Sequence, residues 1–459
     1  MKTSQSPQFT VEELKKIATD AGIVGAGGAG FPLAFKLRDD LVDTLIINGA
    51  ECEPLIYSDY YLMKKYLDDI VRGAQIIMKA TNIKRCFLSV KEHTASSLRL
   101  TQGQTLGEGV TVHELPNVYP VGDEIILIYE TTGRVVQPGC LPFTAGVIVS
   151  NVETVYNVKR AAEDKPVTSK WVTISGKVPK KIFVEVPIGM NVGELLSRFG
   201  IKVPEDCAVL DGGPAMGKLI DPSASFIRKT TKSILILPED TPAVISKTAS
   251  TAHILKKASS VCCQCSMCSD LCTRALLGYP ISPSRTVRAV AAFAVDNPQD
   301  YLSAQLCSGC GVCELMACCQ GISPVTLMTE IKKTLGANHI RYSHTGPNVK
   351  ALSQREYRMV PAERFKSRVG VLPFDQVPED MGELDKAPSR LVLALSQHIG
   401  KPAEPVVKPG DRVSKGDIVA KAAEGGPSAA IHASWDGVVE SVDEGPGGKI
   451  TIRCTEGVR

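Results

Sequence analysis

The sequence has no hydrophobic run long enough to cross a membrane, few aromatic residues and almost no net charge. Its longest apolar runs, SILILP and EIILIY, fall far short of the ~20 residues that a membrane-spanning helix needs. The amino-terminal MKTSQSPQFTVEELKK has no apolar signal core. A formal charge of +3 over 459 residues gives no reason to expect nucleic-acid binding. These absences predict a cytoplasmic protein without a membrane span, and the length predicts several domains.

Histidine is also scarce, whereas cysteine is abundant, with 15 residues. Ten of the cysteines form two clusters, CCQCSMCSDLC at 262–272 and CSGCGVCELMACC at 307–319. In a reducing compartment such closely spaced thiols favour metal binding over disulfides. The other cysteines lie singly in apolar surroundings, and we expect most of them to be buried small hydrophobic residues. They are Cys52, Cys86, Cys140, Cys207 and Cys454.

The first cluster has the CxxCxxCxxxC spacing of bacterial two-cluster ferredoxins, in which three thiolates bind one 4Fe-4S cluster and the fourth binds the other. The second cluster repeats the triplet, but its next thiols, Cys318 and Cys319, come one and two places late. Cys263 is left over, and Cys319 remains open as an alternative fourth ligand. The expected ligand sets are Cys262, Cys265, Cys268 and Cys318 for one cluster, and Cys307, Cys310, Cys313 and Cys272 for the other.

A zinc ribbon is the alternative interpretation of the cysteines, but zinc uses two pairs of ligands rather than two triplets with a trailing fourth. Helices are expected around the clusters. One begins with Ser282 as a cap and Pro283 in the first turn, and another begins with Ser323 and Pro324 and ends at Gly336. The segment therefore predicts an all-helical ferredoxin module.

The amino-terminal third opens with a predicted helix, in which Thr10 and Glu13 form a capping box, followed by GIVGAGGAGFPLAFKL. Gly25, Gly27 and Gly30 match GxGxxG, but that dinucleotide fingerprint requires a preceding strand, and here a helix precedes it. Bare backbone in this loop could lie against a flat or phosphorylated ligand. A flexible surface loop is the alternative.

Polar residues follow apolar segments at three further places. Carboxylates at the carboxyl end of a strand suit ribose or ribityl hydroxyls. Each place alone is more often an ordinary strand end, whereas together they predict one site just past buried strands. The residues are Asn48, Glu51 and Glu53 in NGAECEP, Asp123 and Glu124 in YPVGDE, and Asn151, Glu153 and Thr154 in SNVET.

The motifs GAGGAGFP, NGAECEP, YPVGDE and SNVET resemble the flavin-binding motifs of the flavoprotein subunit of respiratory NADH:quinone oxidoreductase and of the RnfC component of the Rnf ferredoxin:NAD oxidoreductase. The resemblance implies a Rossmann-like domain that binds FMN non-covalently, with NADH stacked on the flavin. Glu53 and Glu124 would face NADH, and the redox cofactors rather than catalytic side chains would carry the chemistry. The implied flavin contacts are Gly25, Gly27, Gly28, Phe31, Lys36, Asn48, Ala50, Glu51, Tyr119, Gly122, Asn151 and Thr154.

Two further segments resemble known modules. KWVTISGKVPKKIFVEVPIGMNVGELLSRFG with VLDGGPAMGK resembles a soluble ligand-binding β-grasp domain, whose glycines we expect in turns. QHIGKPAEPVVKPGDRVSKGDIVAKAAEGG has the rhythm of a lipoyl half-barrel, but its turn carries no lysine for a prosthetic arm, and His432 is expected to be structural. The predicted fold is therefore multidomain α/β. Its parts are a Rossmann-like FMN/NADH domain at 1–165, a β-grasp domain at 166–245, a two-cluster ferredoxin domain at 246–340, a linker at 341–390 and a barrel-sandwich hybrid at 391–459.

The barrel comes last, and this order, with CELMACCQGISP, resembles the PduS-type cobalamin reductases of propanediol-utilising bacterial microcompartments. The resemblance implies electron transfer from NADH through FMN and two 4Fe-4S clusters to cobalamin or another corrinoid, since a flavin exchanges both hydride and single electrons. It also implies an adenosyltransferase and a shell protein as partners, within a microcompartment in the cytoplasm. Two alternatives stay open: an RnfC-like subunit of a ferredoxin:NAD oxidoreductase complex, and a non-enzymatic docking scaffold.

Overall fold

The amino-terminal part is a mostly parallel sheet covered by helices. The computed structural model describes residues 8–28, 30–445 and 447–455. The sheet order is β3-β4-β2-β1-β6, with only the short edge strand β3 antiparallel. Asn48 at the end of β1 pairs in register with Asn151 at the end of β6. The elements are α1 Val11–Asp20, β1 Thr44–Asn48, α2 Ser58–Thr81, β2 Arg85–Lys91, α3 Glu92–Leu98, β3 Thr105–Gly107, β4 Val110–Leu115, β5 Val118–Tyr119, α4 Glu124–Thr132, β6 Val147–Asn151 and α5 Val152–Ala161.

The local sequence explains these elements. The capping box of Thr10 and Glu13 at the start of α1 is confirmed, and both bonds are present. The strands β1 and β6 are almost entirely apolar because helices cover both faces of the sheet. Asp123 and Glu124 follow only a two-residue strand, Val118–Tyr119, of which Tyr119 is buried. Asp123 caps α4, accepting hydrogen bonds from the N–H groups of Ile125 at 3.1 Å and Ile126 at 3.2 Å.

The middle part is a six-stranded sheet of order β10-β9-β11-β7-β8-β13. One helix covers it with Val192, Leu195 and Leu196, as the apolar pattern of VGELLSRFG predicts. The last strand, β13 (Glu379–Glu383), comes from much later in the chain and pairs with β8. The elements are β7 Ser169–Gly176, β8 Ile182–Pro187, α6 Val192–Arg198, β9 Cys207–Asp211, β10 Lys218–Ile220, β11 Ser233–Pro238 and α7 Pro242–Thr248.

The cysteine-rich part is helical, as predicted, although its caps differ from expectation. Pro283 and Pro324 do begin helices, but the Ser282 and Ser323 side chains accept no capping hydrogen bond, and Gly336 lies within the last helix rather than after it. No helix in the described ranges is both long and apolar enough to span a membrane. The helices are α8 Thr251–Val261, α9 Met267–Asp270, α10 Thr273–Leu276, α11 Pro283–Ala291, α12 Gln299–Leu302 and α13 Pro324–Ala337.

The stretch 341–390, expected to be a linker, folds onto two other parts of the protein. Its strand β12 (Val360–Pro361) pairs with β5, and its strand β13 (Glu379–Glu383) extends the middle sheet. Between them, helix α14 (Ala362–Arg368) buries Phe365 against the ring of Tyr119, with the ring centroids 3.9 Å apart. This stretch therefore joins the amino-terminal and middle parts through packed structure.

The carboxyl-terminal part is a barrel of two small sheets, β14-β20-β19-β16 and β15-β17-β18. His432 is buried in it, and burial lowers its pKa to about 3, which keeps the ring neutral. The barrel also contacts the glycine-rich loop, since the Ile399 N–H donates to the Gly30 carbonyl at 3.1 Å. The strands are β14 Arg390–Ala394, β15 Glu404–Pro405, β16 Arg412–Val413, β17 Ile418–Lys421, β18 Ile431–His432, β19 Gly437–Asp443 and β20 Lys449–Cys454.

A buried lysine strengthens the contact between the barrel and the amino-terminal part. The Lys229 ammonium donates to the carbonyl oxygens of Gly22 and Ala430, both at 2.7 Å. Burial lowers the pKa of Lys229 to about 7. A further backbone bond, from the Ala430 N–H to the Thr19 carbonyl at 3.0 Å, lies beside it. Three parts of the chain therefore meet directly behind the glycine-rich loop.

Candidate functional site

A cavity of about 750 Å³ opens where the amino-terminal, middle and cysteine-rich parts meet, and its size is typical of a cofactor site. All residues predicted to contact flavin or NADH line it except Ala50 and Thr154. These two support the wall: the Ala50 N–H donates to the Asn48 side chain at 3.1 Å, and the Thr154 hydroxyl accepts the Ala26 N–H at 3.0 Å. The lining residues from the predicted set are Gly25, Gly27, Gly28, Phe31, Lys36, Asn48, Glu51, Glu53, Tyr119, Gly122, Glu124 and Asn151.

The glycine-rich loop presents bare backbone to this cavity. Gly28 has φ +110°, and a Cβ added there would meet no atom within 4 Å. At Gly27 a Cβ would make ordinary contact with Asn151, 3.6 Å away. The open space at Gly28 would be filled by any side chain, so the loop fits a flat or phosphorylated group such as FMN.

The ends of β1 and β6 fix the polar wall of the cavity. The Asn48 amide donates to the Gly122 carbonyl at 3.0 Å, which orients it toward YPVGDE. The Glu51 carboxylate accepts the N–H groups of Asp59 at 2.7 Å and Tyr60 at 3.1 Å, in the first turn of α2. Burial, together with the charge of Asp59, raises the pKa of Glu51 to about 7. Two backbone N–H donors thus hold the Glu51 side chain in place at the cavity wall.

Glu53 connects the cavity to the second cysteine cluster. Its carboxylate accepts the Tyr119 hydroxyl at 2.7 Å and the Ala215 N–H at 2.9 Å. The same Tyr119 hydroxyl also lies 2.7 Å from the Cys310 carbonyl oxygen. Burial raises the pKa of Glu53. One tyrosine thus contacts both the residue predicted to face NADH and the loop of a predicted cluster ligand.

The middle part contributes a wall that the sequence did not predict. A Cβ at Gly213 would overlap the Glu53 carboxylate, so this glycine permits Glu53 to approach the backbone closely. The expectation that the glycines of VLDGGPAMGK serve only as turns is therefore wrong at this position. In the sequence, the available sign of this close approach was a glycine at the end of an apolar strand. The lining residues from this part are Asp211, Gly212, Gly213, Met216, Gly217, Lys218, Arg228, Thr230 and Lys232.

Buried ion pairs lie beneath the polar wall, and sequence reasoning missed them. Lys232 pairs with Asp59, and its ammonium also donates to the Asn151 side chain at 3.3 Å. Burial disfavours the charge on Lys232, but the carboxylates of Asp59, Glu153 and Glu51 outweigh it and raise its pKa. Lys170 pairs with Glu153, and burial lowers its pKa. In the sequence, the only local sign of these ion pairs was a lysine in the apolar run KWVTIS.

Two further ion pairs surround the YPVGDE loop. The Lys36 ammonium lies 2.7 Å from Glu124 and donates to the Val149 carbonyl at 3.1 Å. Arg274, two residues after Cys272, donates to Asp123 at 2.8 Å. The loop that lines the cavity is therefore held directly by the first cysteine motif.

The first cysteine motif and the end of the second surround a small cavity of their own. Burial and the neighbouring thiols Cys318, Cys265 and Cys262 raise the pKa of Cys268 to about 12. The Ile322 N–H donates to the Cys318 sulfur at 3.3 Å. These four thiols are the set predicted for one cluster, and hydrogen bonds to a ligand sulfur tune such a cluster.

The remaining predicted ligands lie together elsewhere, beside the large cavity. Burial, with Cys307 nearby, raises the pKa of Cys272 to about 11, so the last thiol of the first motif lies near the second motif. Burial raises the pKa of Cys313 well above its usual value, and Cys307, Cys310 and Cys272 add to this. Cys307 and Cys310 also line the large cavity. Cys272 thus lies near the three thiols of the second motif.

A π-helical turn accounts for the late fourth cysteine of the second motif. Residues Val312–Ala317 form this turn, in which hydrogen bonds join residues five apart instead of four. Cys313 and Cys318 are likewise five residues apart, whereas Cys268 and Cys272 are four apart. The turn absorbs one extra residue and brings Cys318, not the exposed Cys319, to the inner position.

The five single cysteines differ in how far they are exposed. Cys86 and Cys207 are buried, as expected, and Cys454 is partly buried. Cys140 is exposed, so the expectation is wrong there, because it lies in a surface loop before a 3₁₀ turn. Cys52 lines the large cavity, where its sulfur accepts the Gly122 N–H at 2.6 Å.

The two thiol sets predict the metal content. Anaerobically prepared protein should hold about eight iron atoms and about eight acid-labile sulfides per chain, because each set of four thiols suits one 4Fe-4S cluster. Colorimetric iron and sulfide determination checks this. Protein that contains zinc and no sulfide would contradict it.

Comparisons with known proteins match the parts of the chain in turn. Residues 18–160 match the Nuo51 FMN-binding domain, residues 261–323 match a 4Fe-4S dicluster domain, and residues 381–450 match the RnfC barrel sandwich hybrid domain. The chain is thus a multidomain α/β protein with an FMN-binding domain, a dicluster domain and a terminal barrel. The three matches include the glycine-rich loop, the cysteines of both motifs and Ile399, whereas the middle part that also lines the large cavity lies outside them.

Two relatives are similar over nearly the whole length. The cobalamin reductase PduS of Salmonella typhimurium is 40% identical over 438 residues, which are 95% of this chain and 96% of the relative. The cobalamin reductase PduS of Citrobacter freundii is 38% identical over 96% of this chain and 97% of its own. A component of the proton-translocating ferredoxin:NAD(+) oxidoreductase complex of Clostridium ljungdahlii is 38% identical, but over only 46% of this chain and 47% of its own.

Proposed function

The chain belongs to the family of PduS cobalamin reductases, and from this premise we propose that it is an NADH-dependent flavin and iron–sulfur oxidoreductase that reduces cobalamin. The proposed product is cob(I)alamin, which an adenosyltransferase would use to restore adenosylcobalamin. FMN would be the flavin, NADH the electron donor, and two 4Fe-4S clusters the path to the corrinoid.

One observation carries this proposal: the cavity that fits the flavin is also lined by thiols of a predicted cluster. Cys307 and Cys310 share the cavity with the glycine-rich loop. Tyr119 adds a direct contact, since its hydroxyl bridges the Glu53 carboxylate and the Cys310 carbonyl. A flavin and a cluster bound at these places would be neighbours, as electron transfer between them requires.

The residues of the chain have distinct tasks in this proposal. Bound FMN supplies the exchange between a two-electron hydride donor and one-electron acceptors. Gly28 leaves room for the cofactor, and Lys36 and Lys232, each paired with a carboxylate, place ammonium donors at the cavity wall. Glu53 is oriented by the Tyr119 hydroxyl and the Ala215 N–H, so its carboxylate is fixed before NADH binds. Such pre-orientation lowers the cost of binding.

Finer assignments belong to the same proposal. The flavin domain would be Rossmann-like and span 1–165, the middle sheet would be a β-grasp domain at 166–245, and the dicluster domain would span 246–340. The first cluster would be bound by Cys262, Cys265, Cys268 and Cys318, and the second by Cys307, Cys310, Cys313 and Cys272. The proximity of the thiols within each set supports this division.

Family membership supports a proposal about partners and location. We propose that the protein works beside an adenosyltransferase, contacts a shell protein and lies within a bacterial microcompartment in the cytoplasm. The terminal barrel is the proposed docking module, because it has the carrier-type fold and its turn AAEGGPSAAIHAS has no lysine. Co-purification with a tagged shell protein tests the location.

An anaerobic assay of the purified protein tests the activity. With NADH as donor, we expect the spectrum of cobalamin to change to that of cob(I)alamin. Glu53→Gln should raise the KM for NADH more than it lowers kcat, because it removes a fixed carboxylate without altering the cluster ligands. Glu12→Gln, an exposed change on α1, is the matched control.

Each failure of the assay favours a different alternative. Rapid reduction of a ferredoxin but none of cobalamin would favour the RnfC-like subunit. A colourless protein after anaerobic purification, with neither flavin nor iron, would favour the docking scaffold. Either result would overturn the proposed reductase.

A further inference from the structure

Two cysteines without a place in the predicted ligand sets lie against each other on the surface. The Cys263 and Cys319 sulfurs are 3.6 Å apart, although the residues are 56 positions apart in the chain. Both side chains are exposed. The Cys265 sulfur lies within 4.8 Å of both of them. Unlike the buried single cysteines Cys86 and Cys207, this pair is open to reagents in solution.

The pair lies at the mouth of the first cluster cavity. Cys263 and Cys319 both line this cavity, and each directly follows a predicted ligand, Cys262 or Cys318. The π-helical turn explains their meeting, because it brings Cys318 to the inner position and leaves the next residue facing outward. Cys263 belongs to the first motif and Cys319 to the second. A bond between them would therefore cross-link the two motif loops beside two ligands of one cluster.

We propose that Cys263 and Cys319 form a redox-active dithiol that closes to a disulfide through exchange with low-molecular-weight disulfides such as oxidised glutathione. The Cys263 thiolate attacks one sulfur of the reagent, which forms a mixed disulfide and releases one thiol. The Cys319 thiolate then attacks the Cys263 sulfur and releases the second thiol. The pair loses two electrons and two protons, and the reagent is reduced to two thiols.

The disulfide has a structural consequence for the first cluster. It closes a loop of more than fifty residues between the motifs and fixes the segments that carry Cys262 and Cys318. A cross-link of this kind stabilises mainly by restricting the opened chain. The oxidised pair should therefore hold the first cluster more firmly against chelators. This inference rests on the proposed ligand set Cys262, Cys265, Cys268 and Cys318.

The experiment treats anaerobic protein, with its clusters in place, with oxidised glutathione, followed by alkylation and peptide mass spectrometry. We expect one cross-linked peptide pair, Cys263 with Cys319, which dithiothreitol reverses while the iron content stays unchanged. Cys319→Ser should trap a stable glutathione adduct on Cys263, because the second thiol is gone. Cys140, exposed and outside the motifs, should carry only a glutathione adduct and no cross-link.

A second measurement tests the effect on the cluster. Loss of iron–sulfur absorbance to a chelator should be at least about tenfold slower for oxidised wild type than for oxidised Cys319→Ser. Equal rates would overturn the stabilising role. Two results would overturn the dithiol. One is separate glutathione adducts on Cys263 and Cys319, and the other is zinc that is bound in excess of the iron and protects both thiols. Iron loss from untreated Cys319→Ser would instead overturn the ligand set on which the inference rests.

Discussion

Cys272→Ser is expected to destroy the cluster held by Cys307, Cys310 and Cys313 and to leave the cluster of its own motif intact. Serine is a poorer ligand than thiolate, and Cys272 lies with the second triplet. Electron transfer from NADH to cobalamin should fall by more than about 100-fold, beyond what loss of an outer-shell partner costs. NADH oxidation by ferricyanide, which can accept electrons from the flavin directly, should continue.

Paramagnetic resonance of the reduced protein identifies the affected cluster. The signal assigned to the second triplet should disappear or convert to a three-iron form in Cys272→Ser, whereas Cys318→Ser should alter the other signal. Cys263→Ser, in the same loop as the first motif but exposed, is the control and should retain both signals. If Cys272→Ser alters the cluster of Cys262, Cys265 and Cys268, the crossed ligation is wrong.

Gly28→Val is expected to yield protein that contains both clusters but no FMN. The branched side chain would occupy the open space that Gly28 leaves in the cavity. It would also have to adopt φ +110°, and left-handed backbone costs a residue with a side chain about 1–2 kcal/mol. Together these effects should weaken FMN binding by at least about 100-fold, or about 2.7 kcal/mol. Flavin released on denaturation, compared with iron content, measures the result.

A glycine elsewhere in the same domain separates the two causes. Gly103 has φ +76°, lies in an exposed loop and also has no atom within 4 Å of an added Cβ, but it does not line the cavity. Gly103→Val therefore has the same kind of backbone strain without the obstruction, and it should keep FMN. If both variants lose flavin equally, strain in the domain explains the loss and the loop is not shown to cradle the cofactor.

The sequence predicts those features that depend on neighbouring residues. The apolar runs TLIIN and VIVSN gave buried parallel strands, and the capping box of Thr10 and Glu13 formed as expected. The polar residues after these strands came together because their carboxyl ends adjoin in register. Ser282 does not cap its helix, because its hydroxyl lies 3.0 Å from the Ser269 hydroxyl instead. Local preference is weak beside such tertiary bonds.

The rest of the site depends on contacts between distant parts of the chain. Lys232 and Asp59 are 173 residues apart, and Tyr119 and Cys310 are 191 residues apart. No periodicity or spacing encodes such pairs in a single sequence, because each partner looks like an ordinary charged or aromatic residue where it stands. Cys318 stands between these two cases. The sequence shows that it comes one position late, but only the π-helical turn gives the physical reason.

The bond between Ile399 and Gly30 is a physical connection between the terminal barrel and the glycine-rich loop. The barrel holds the loop that lines the flavin cavity, with Lys229 bonded to both sides. If flavin binding depends on this bond, a protein that breaks it on binding the barrel would lower the affinity for flavin, and bound flavin would lower the affinity for that protein by the same factor. A protein that binds only the intact arrangement would raise both. Docking at the barrel and filling of the cavity would then report on each other.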